Sequence, residues 1–288
     1  MLRHHCQTLI DGAELERRIV DTRTGPVLLD CRHDLTDPSA GRRAFAAGHL
    51  PNARHLDLNT DLSGPLTEHS GRHPLPTPRT LASRLAALGI TPATEVICYD
   101  AGDGSFAARA WWLLRWMGHA AVAVLDGGFA AWQSAGRHVA HGEGTPPVPA
   151  SPLPLRPPLE RHVDTAAVAR DLDSNRWLLV DARAPERFRG EHEPIDPVAG
   201  HIPGAINRPF TANLHGGHFK PARQLAAEWQ ALLSGRATQD VIVYCGSGVT
   251  ACHHVLALAH AGLPGARLYA GSWSAWCGDA TRPVAKGA

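Results

Sequence analysis

The feature that most constrains the fold of this chain is an internal duplication. Four short segments of the first half recur in the second half, in the same order and with a nearly constant offset. They are LLDCR and LVDAR (28–32 and 179–183), GHLPNA and GHIPGA (48–53 and 200–205), VICYD and VIVYC (96–100 and 241–245), and LDGGFAAW and YAGSWSAW (125–132 and 269–276). Matches in one order indicate that two copies of one domain follow each other.

A proline-rich segment separates the two copies. Seven prolines occur between positions 146 and 158, and such a segment is extended and unlikely to enter a helix or a central strand. We therefore predict an N-terminal domain at residues 1–140, a linker at residues 141–159 and a C-terminal domain at residues 160–288.

Short apolar runs alternate with amphipathic, helix-like segments in both halves. This alternation predicts an α/β fold of two tandem domains, each a mainly parallel sheet flanked by helices, with ligands bound beyond the carboxyl ends of the strands. The predicted strands are residues 27–30, 96–99, 122–125, 178–181, 241–244 and 266–269, and the clearest predicted helices are residues 78–88, 106–117 and 221–233.

Composition excludes several classes of partner. The chain has 28 basic and 27 acidic residues, so its charge gives no reason to expect binding to nucleic acid or to an anionic membrane. The longest apolar stretch, residues 107–117, is interrupted by Arg109 and Arg115, so no membrane span is predicted. The N-terminal sequence lacks a signal-peptide core, which favours a cytoplasmic location and free cysteines.

Eighteen histidines raise the question of a metal site. No HExxH pattern or paired CxxC is present. His4 and His5 stand near the terminus, and Cys252, His253 and His254 are consecutive on a predicted helix, so their side chains point in different directions. We expect no metal and no cofactor.

The segment VIVYCGSGVTAC, residues 241–252, places Cys245 at the end of a predicted strand and just before a predicted helix. Backbone N–H groups and a helix N-terminus stabilise a thiolate, which is the nucleophilic form of cysteine. The predicted N–H donors belong to the loop residues Gly246, Ser247, Gly248, Val249 and Thr250. The alternative interpretation is a buried cysteine that ends a core strand. Phosphoryl transfer is poorly supported, because a cysteine phosphatase would need an arginine where this chain has Ala251.

The tandem D-x-R, GH[IL]PxA and cysteine-loop motifs together resemble those of the two-domain rhodanese family of sulfurtransferases, over nearly the whole chain. The resemblance implies that the second domain carries the catalytic cysteine and that the first is an inactive copy, with Asp100 at the cysteine position. CGSGVTA is similar to the CG[ST]GVT loop of the mercaptopyruvate branch, whereas the thiosulfate branch has a basic residue soon after the cysteine.

The same resemblance implies a substrate-binding role for Arg187, which matches a family arginine that binds the substrate carboxylate; a solvated surface arginine is the alternative. Arg183 is expected to pair with Asp181. The mercaptopyruvate branch usually has a second arginine where this chain has Ile195. Two nearby arginines are candidates to replace it, Arg189 and Arg208.

A Cys–Ser–His–Asp proton relay is also implied by the resemblance. Ser247 fits the serine, and His73 and Asp61 are the best matches for the other two residues. A structural role for His73, capping the loop before the helix at residue 78, is the alternative. Cys252 is expected to be a passive buried thiol, although a role in resolving an oxidised intermediate is open.

These expectations describe an enzyme that moves sulfane sulfur from 3-mercaptopyruvate to a thiol, a thioredoxin-like protein or cyanide, through a persulfide on Cys245. A neutral loop favours this donor over thiosulfate, because loss of sulfur from 3-mercaptopyruvate leaves an enolate that needs a proton, whereas thiosulfate releases a sulfite dianion that needs positive charge. Thiosulfate:cyanide sulfur transfer is the alternative. A non-catalytic sulfur carrier or interaction module is a weaker one.

Overall fold

The computed structural model describes residues 8–19, 25–144, 146–174 and 176–288. The chain forms two compact units. The first comprises residues up to Gly64, then Pro76–Leu159 and Gly216–His218, and the second comprises Pro65–Leu75, Glu160–His215 and Phe219–Ala288. The proline-rich residues 141–159 therefore pack with the first unit, and a short early segment, 65–75, packs with the second.

The first unit contains a five-stranded sheet of order β1-β5-β4-β2-β3 with every described pair of strands parallel. Its strands and helices, in chain order, are β1 (Leu9–Ile10), α1 (Gly12–Ile19), β2 (Val27–Asp30), α2 (Ala40–Ala47), β3 (Arg54–His55), α3 (Pro78–Ala87), β4 (Val96–Tyr99), α4 (Ala107–Trp116), β5 (Val122–Leu125) and α5 (Gly128–Ser134).

The second unit repeats this arrangement with the order β6-β12-β11-β7-β8, again all parallel. Its elements are β6 (Arg161–Val163), α6 (Thr165–Arg170), β7 (Leu178–Asp181), α7 (Pro185–Phe188), β8 (Ile206–Asn207), α8 (Ala222–Leu233), β11 (Val241–Tyr244), α9 (Ala251–His260), β12 (Arg267–Tyr269) and α10 (Ser272–Trp276), with short strands β9 (Leu214–His215) and β10 (His218–Phe219) and three 3₁₀ turns (Leu172–Ser174, Phe210–Asn213 and Thr238–Asp240).

The matching strand orders confirm the predicted duplication and the parallel α/β class. The central strands β4 and β11 are buried along their whole length, which explains their unbroken apolar sequences, because a parallel strand covered by helices on both faces has no solvent side. The pattern missed the edge strands β1, β3, β6 and β8, since two or three residues are too few to show a period.

The D-x-R and GH[IL]PxA motifs are structural. In the second unit the Arg183 guanidinium donates to Asp181 and to the carbonyl oxygen of Gly200 at 2.6 Å, which confirms the predicted Arg183–Asp181 pair. The His201 ring stacks on Phe188 with centroids 3.7 Å apart. The first unit has the same arrangement, with residues Asp30, Arg32, Phe45, Gly48 and His49. These contacts fasten the loop after the second strand of each sheet.

The loop after β4 is filled by the side chain of Asp100, a residue of the loop itself. Asp100 stands at the position equivalent to Cys245, and its carboxylate accepts four backbone hydrogen bonds of 2.9–3.1 Å. The donors are Gly102, Gly104, Phe106 and Ala107. The N–H groups that converge in this loop therefore hold an internal carboxyl group.

We predict that Asp100→Ala lowers the free energy of unfolding by about 3 kcal/mol, because buried N–H groups lose their acceptor. Urea denaturation followed by circular dichroism would measure it. The matched control is Asp103→Ala, in the same loop but exposed, with an expected loss below about 1 kcal/mol. Equal losses for both variants would contradict a role of the Asp100 carboxyl group in holding the loop.

Candidate active site

Cys245 lies directly after β11, at the carboxyl edge of the second sheet, where parallel sheets bind ligands. Its side chain is almost buried, with 2% of the residue exposed. The backbone N–H of Gly248 donates to the sulfur at 3.2 Å. Within the part of the chain that the structure describes, no other loop N–H donates to this sulfur, so Gly246, Ser247, Val249 and Thr250 line the loop without bonding to it.

The path of this loop requires glycine at position 248. Gly248 has φ +76°, and a Cβ atom there would lie 2.3 Å from the carbonyl oxygen of Ala270. The start of α10 holds the other side of the loop, because the N–H groups of Trp273 and Ser274 donate to the carbonyls of Cys245 and Gly246 at 2.9 Å. The sulfur and its donor are thus fixed by backbone contacts.

Two guanidinium groups lie beside Gly246. A Cβ atom on this glycine would lie 2.9 Å from Nη2 of Arg72 and 3.6–3.7 Å from the two terminal nitrogens of Arg187. Arg187 lies on α7 and donates to Glu193 through Nε at 3.1 Å and Nη2 at 2.6 Å. The predicted position of Arg187 near the cysteine loop agrees with this geometry, and an environment with two cations distinguishes Cys245 from an ordinary core cysteine.

Sequence reasoning missed Arg72. Its guanidinium pairs with Asp196, and its backbone N–H donates to the side chain of Ser274 at 3.1 Å. Burial lowers the pKa of Arg72, and the nearby Cys245 side chain opposes that shift. The sequence offered one signal for Arg72, namely its position beside His73 in GRHPLP. The long separation from Cys245 along the chain gives no indication that the two residues are close.

Arg189 and Arg208, the two arginines predicted to replace the one that is absent at Ile195, form ion pairs with other residues. Arg189 pairs with Glu191 at the surface. Arg208 pairs with Glu228, donates to Asn213 and lies over the ring of Trp229. That expectation is therefore wrong, since the arginine beside Arg187 at Gly246 is Arg72.

His73 and Ser247 are brought together. Nδ1 of His73 lies 2.7 Å from Oγ of Ser247, and both residues are buried. The N-cap of α3 is Thr77, whose side chain accepts a hydrogen bond from the N–H of Thr80. The alternative structural role of His73 in the loop before this helix stays a prediction.

Asp61 belongs to the first unit. Its carboxylate accepts a hydrogen bond of 2.8 Å from the backbone N–H of Asp57, and its carbonyl accepts one from Arg84. Burial raises the pKa of Asp61. Its place in a relay with His73 stays a prediction.

The remaining chemistry-bearing residues do not form a second centre. The thiol of Cys252 donates to the carbonyl of Gly248 at 3.4 Å, in keeping with a passive buried role. Asn213 donates to the rings of His253 and His254, and burial lowers the pKa of His254 to about 3. Among the residues that the structure describes, no group of three His, Cys, Asp or Glu side chains could hold a metal ion. His4 and His5 lie outside the described residues.

No described helix has both the length and the apolar character needed to cross a bilayer. The same described residues contain five free, buried cysteines and no disulfide between them, and these are Cys31, Cys98, Cys245, Cys252 and Cys277.

Comparison with known proteins identifies the family. The Rhodanese-like domain family matches the chain twice, at residues 11–135 and 164–279. A Pseudomonas aeruginosa protein named "Probable 3-mercaptopyruvate sulfurtransferase" is 49% identical over 264 residues, which cover 91% of this chain and 92% of that protein. A Mycobacterium tuberculosis protein assigned as a thiosulfate sulfurtransferase is 41% identical over 286 residues, or 98% of each chain.

Solved structures agree with this result. The 3-mercaptopyruvate sulfurtransferase from Leishmania major superposes with a TM-score of 0.81 at 28% identity, over 94% of this chain and 74% of that one. Two rhodanese-like domains, their parallel sheets and the close curated relatives lead to one conclusion. The chain belongs to the rhodanese family, and it is a sulfurtransferase.

Proposed function

We propose that this enzyme takes sulfane sulfur from 3-mercaptopyruvate and passes it, through a persulfide on Cys245, to a thiol, a thioredoxin-like protein or cyanide. The observation that carries the proposal is the juxtaposition at one loop of a sulfur that accepts the Gly248 N–H, a guanidinium group from Arg187 and the Ser247–His73 pair. The names of the Pseudomonas aeruginosa and Leishmania major proteins point to the same donor.

In the first half-reaction the Cys245 thiolate attacks the sulfur of the donor. A sulfur–sulfur bond forms, the carbon–sulfur bond breaks, and its electron pair leaves with the carbon as the enolate of pyruvate. The proton of the donor thiol then moves to the enolate carbon, which leaves the terminal sulfur of the persulfide as an anion. The loop N–H of Gly248 stabilises negative charge at this position.

Arg187 binds the donor carboxylate in this mechanism. Glu193 orients the guanidinium through Nε and Nη2, and Nη1 forms no hydrogen bond within the described residues. Nη2 also donates to Asp196 at 3.2 Å, so among the described contacts the Nη1 N–H groups are the ones that can donate to the donor carboxylate.

Ser247 and His73 carry the proton from the donor sulfur to the enolate. Their 2.7 Å contact forms a short path beside the reacting sulfur. We assign Asp61 to the third position of this relay on the strength of the family resemblance.

Thiosulfate is the second candidate donor, favoured by the Mycobacterium tuberculosis relative and by the charge of the site. Residues 246 and 247 are themselves uncharged, but the guanidinium groups of Arg72 and Arg187 both lie beside Gly246. A sulfite leaving group would therefore find guanidinium N–H donors, and the choice between donors depends on the Ser247–His73 pair.

We expect wild-type protein to retain one extra sulfur after exposure to 3-mercaptopyruvate and Cys245→Ser to retain none, as intact-mass spectrometry would show. In steady-state assays with cyanide, kcat/KM should be at least about tenfold higher for 3-mercaptopyruvate than for thiosulfate, because the enolate is protonated at the site. A preference for thiosulfate, or retained sulfur on the serine variant, would contradict the proposal.

We predict that His73→Gln and Ser247→Ala lower kcat with 3-mercaptopyruvate by about 100-fold, since general acid catalysis contributes rate factors of that order. The loss with thiosulfate should stay below about threefold, because sulfite leaves without a proton. His69→Gln is the matched control, an exposed histidine of the same segment, and should match wild type. Equal losses with both donors would indicate that the pair only supports the loop.

A further inference from the structure

We propose that Arg72 is a second substrate-binding cation, which together with Arg187 clamps the carboxylate of the sulfur donor. This inference rests on the proposed function and deepens it, because it names the residue that selects donors bearing an acid group. No sequence motif assigns a role to Arg72.

Arg72 and Arg187 lie beside the same residue of the cysteine loop. The terminal nitrogens of Arg72 and Arg187 approach Gly246 on the side where a Cβ atom would project, at 2.9 Å and 3.6–3.7 Å from it. Gly246 directly follows the nucleophile. A side chain at this position would clash with Arg72, so glycine is what allows both guanidinium groups to lie this close to the residue after the nucleophile.

A single carboxylate, that of Asp196, orients both cations. The side chain of Asp196 is 2% exposed, and its two carboxylate oxygens pair with the two arginines, one oxygen with each. The pair is thus fixed from one side, while Nε and Nη2 of Arg72 and Nη1 of Arg187 form no hydrogen bonds within the described residues. The side chains of Arg72 and Arg187 are 29% and 16% exposed, so an incoming oxygen can reach them.

The arginines and carboxylates of this cluster balance in charge. Three arginines, Arg72, Arg183 and Arg187, form ion pairs with three carboxylates, Asp181, Glu193 and Asp196. Without Arg72 this cluster would carry a net charge of about −1, and an anionic donor would approach a thiolate beside excess negative charge. Arg72 makes the cluster neutral.

Backbone contacts fix the position of Arg72 beside the cysteine loop. The Arg72 N–H is bound by Ser274, and a Cβ atom on Gly71 would lie 2.4 Å from the carbonyl of Gly271. Arg72 and His73 are consecutive, and they contact the consecutive residues Gly246 and Ser247. One short segment therefore supplies both a cation and a member of the proton relay.

The test uses two alkylating agents of similar size, one anionic and one neutral. Iodoacetate carries a carboxylate, whereas iodoacetamide does not, so the ratio of their rates at Cys245 reports recognition of the acid group apart from the reactivity of the sulfur. In Arg72→Gln we expect this ratio to fall about tenfold, with the iodoacetamide rate changed less than about threefold, because a charge-assisted hydrogen bond is lost. Arg72→Lys, which keeps the charge, should fall less.

Steady-state assays give the second readout. KM for 3-mercaptopyruvate should rise about 10- to 100-fold in Arg72→Gln, with kcat changed less than about threefold. Arg189→Gln is the matched control, since it removes an arginine of the same unit whose ion pair among the described residues is with Glu191, and it should match wild type in both assays.

An unchanged rate ratio and KM in Arg72→Gln would overturn the proposal, as would equal losses with both alkylating agents, which a merely structural role predicts. Failure of the proposed function looks different. Wild type would then form no persulfide from 3-mercaptopyruvate, while the iodoacetate-to-iodoacetamide ratio would still report whether Arg72 binds an anion.

Discussion

The hydrogen bond from the Gly248 N–H to the Cys245 sulfur is the interaction on which the site depends. It exists because Gly248 takes a positive φ and lies against the carbonyl of Ala270, a position that any Cβ atom would forbid. The start of α10 then fixes the loop carbonyls. Charge that develops on the sulfur therefore meets a donor that is already in place, and little reorganisation is required.

The two copies of the domain put this loop to different uses. Both loops follow a fully buried central strand, and in both units a D-x-R ion pair fastens the loop after the neighbouring strand. In the first unit the converging N–H groups donate to the carboxyl group of Asp100. In the second unit a sulfur occupies the equivalent position, and two arginines stand beside it. The same loop position therefore holds a carboxyl group bonded to the backbone in one unit and a cysteine sulfur in the other.

The sequence predicted the fold well because its repeats and central strands are strongly patterned. The unbroken apolar strand Val241–Tyr244 identified the sheet, and the glycines after Cys245 pointed to this residue as the candidate nucleophile. The edge strands were not predictable, since they have almost no period. Arg72 was missed for a different reason. Its partners Asp196 and Gly246 are far along the chain, and only the folded path of residues 65–75 brings them together.

The most direct test of this account is the rate at which iodoacetamide alkylates Cys245 at about pH 6, where an ordinary cysteine is almost wholly protonated. Peptide mass mapping would follow the site in folded protein and in protein unfolded by urea. The account predicts that folding raises this rate at least about tenfold, because the loop and its cations stabilise the thiolate. A rate in the folded protein equal to or below that of the unfolded chain would contradict it.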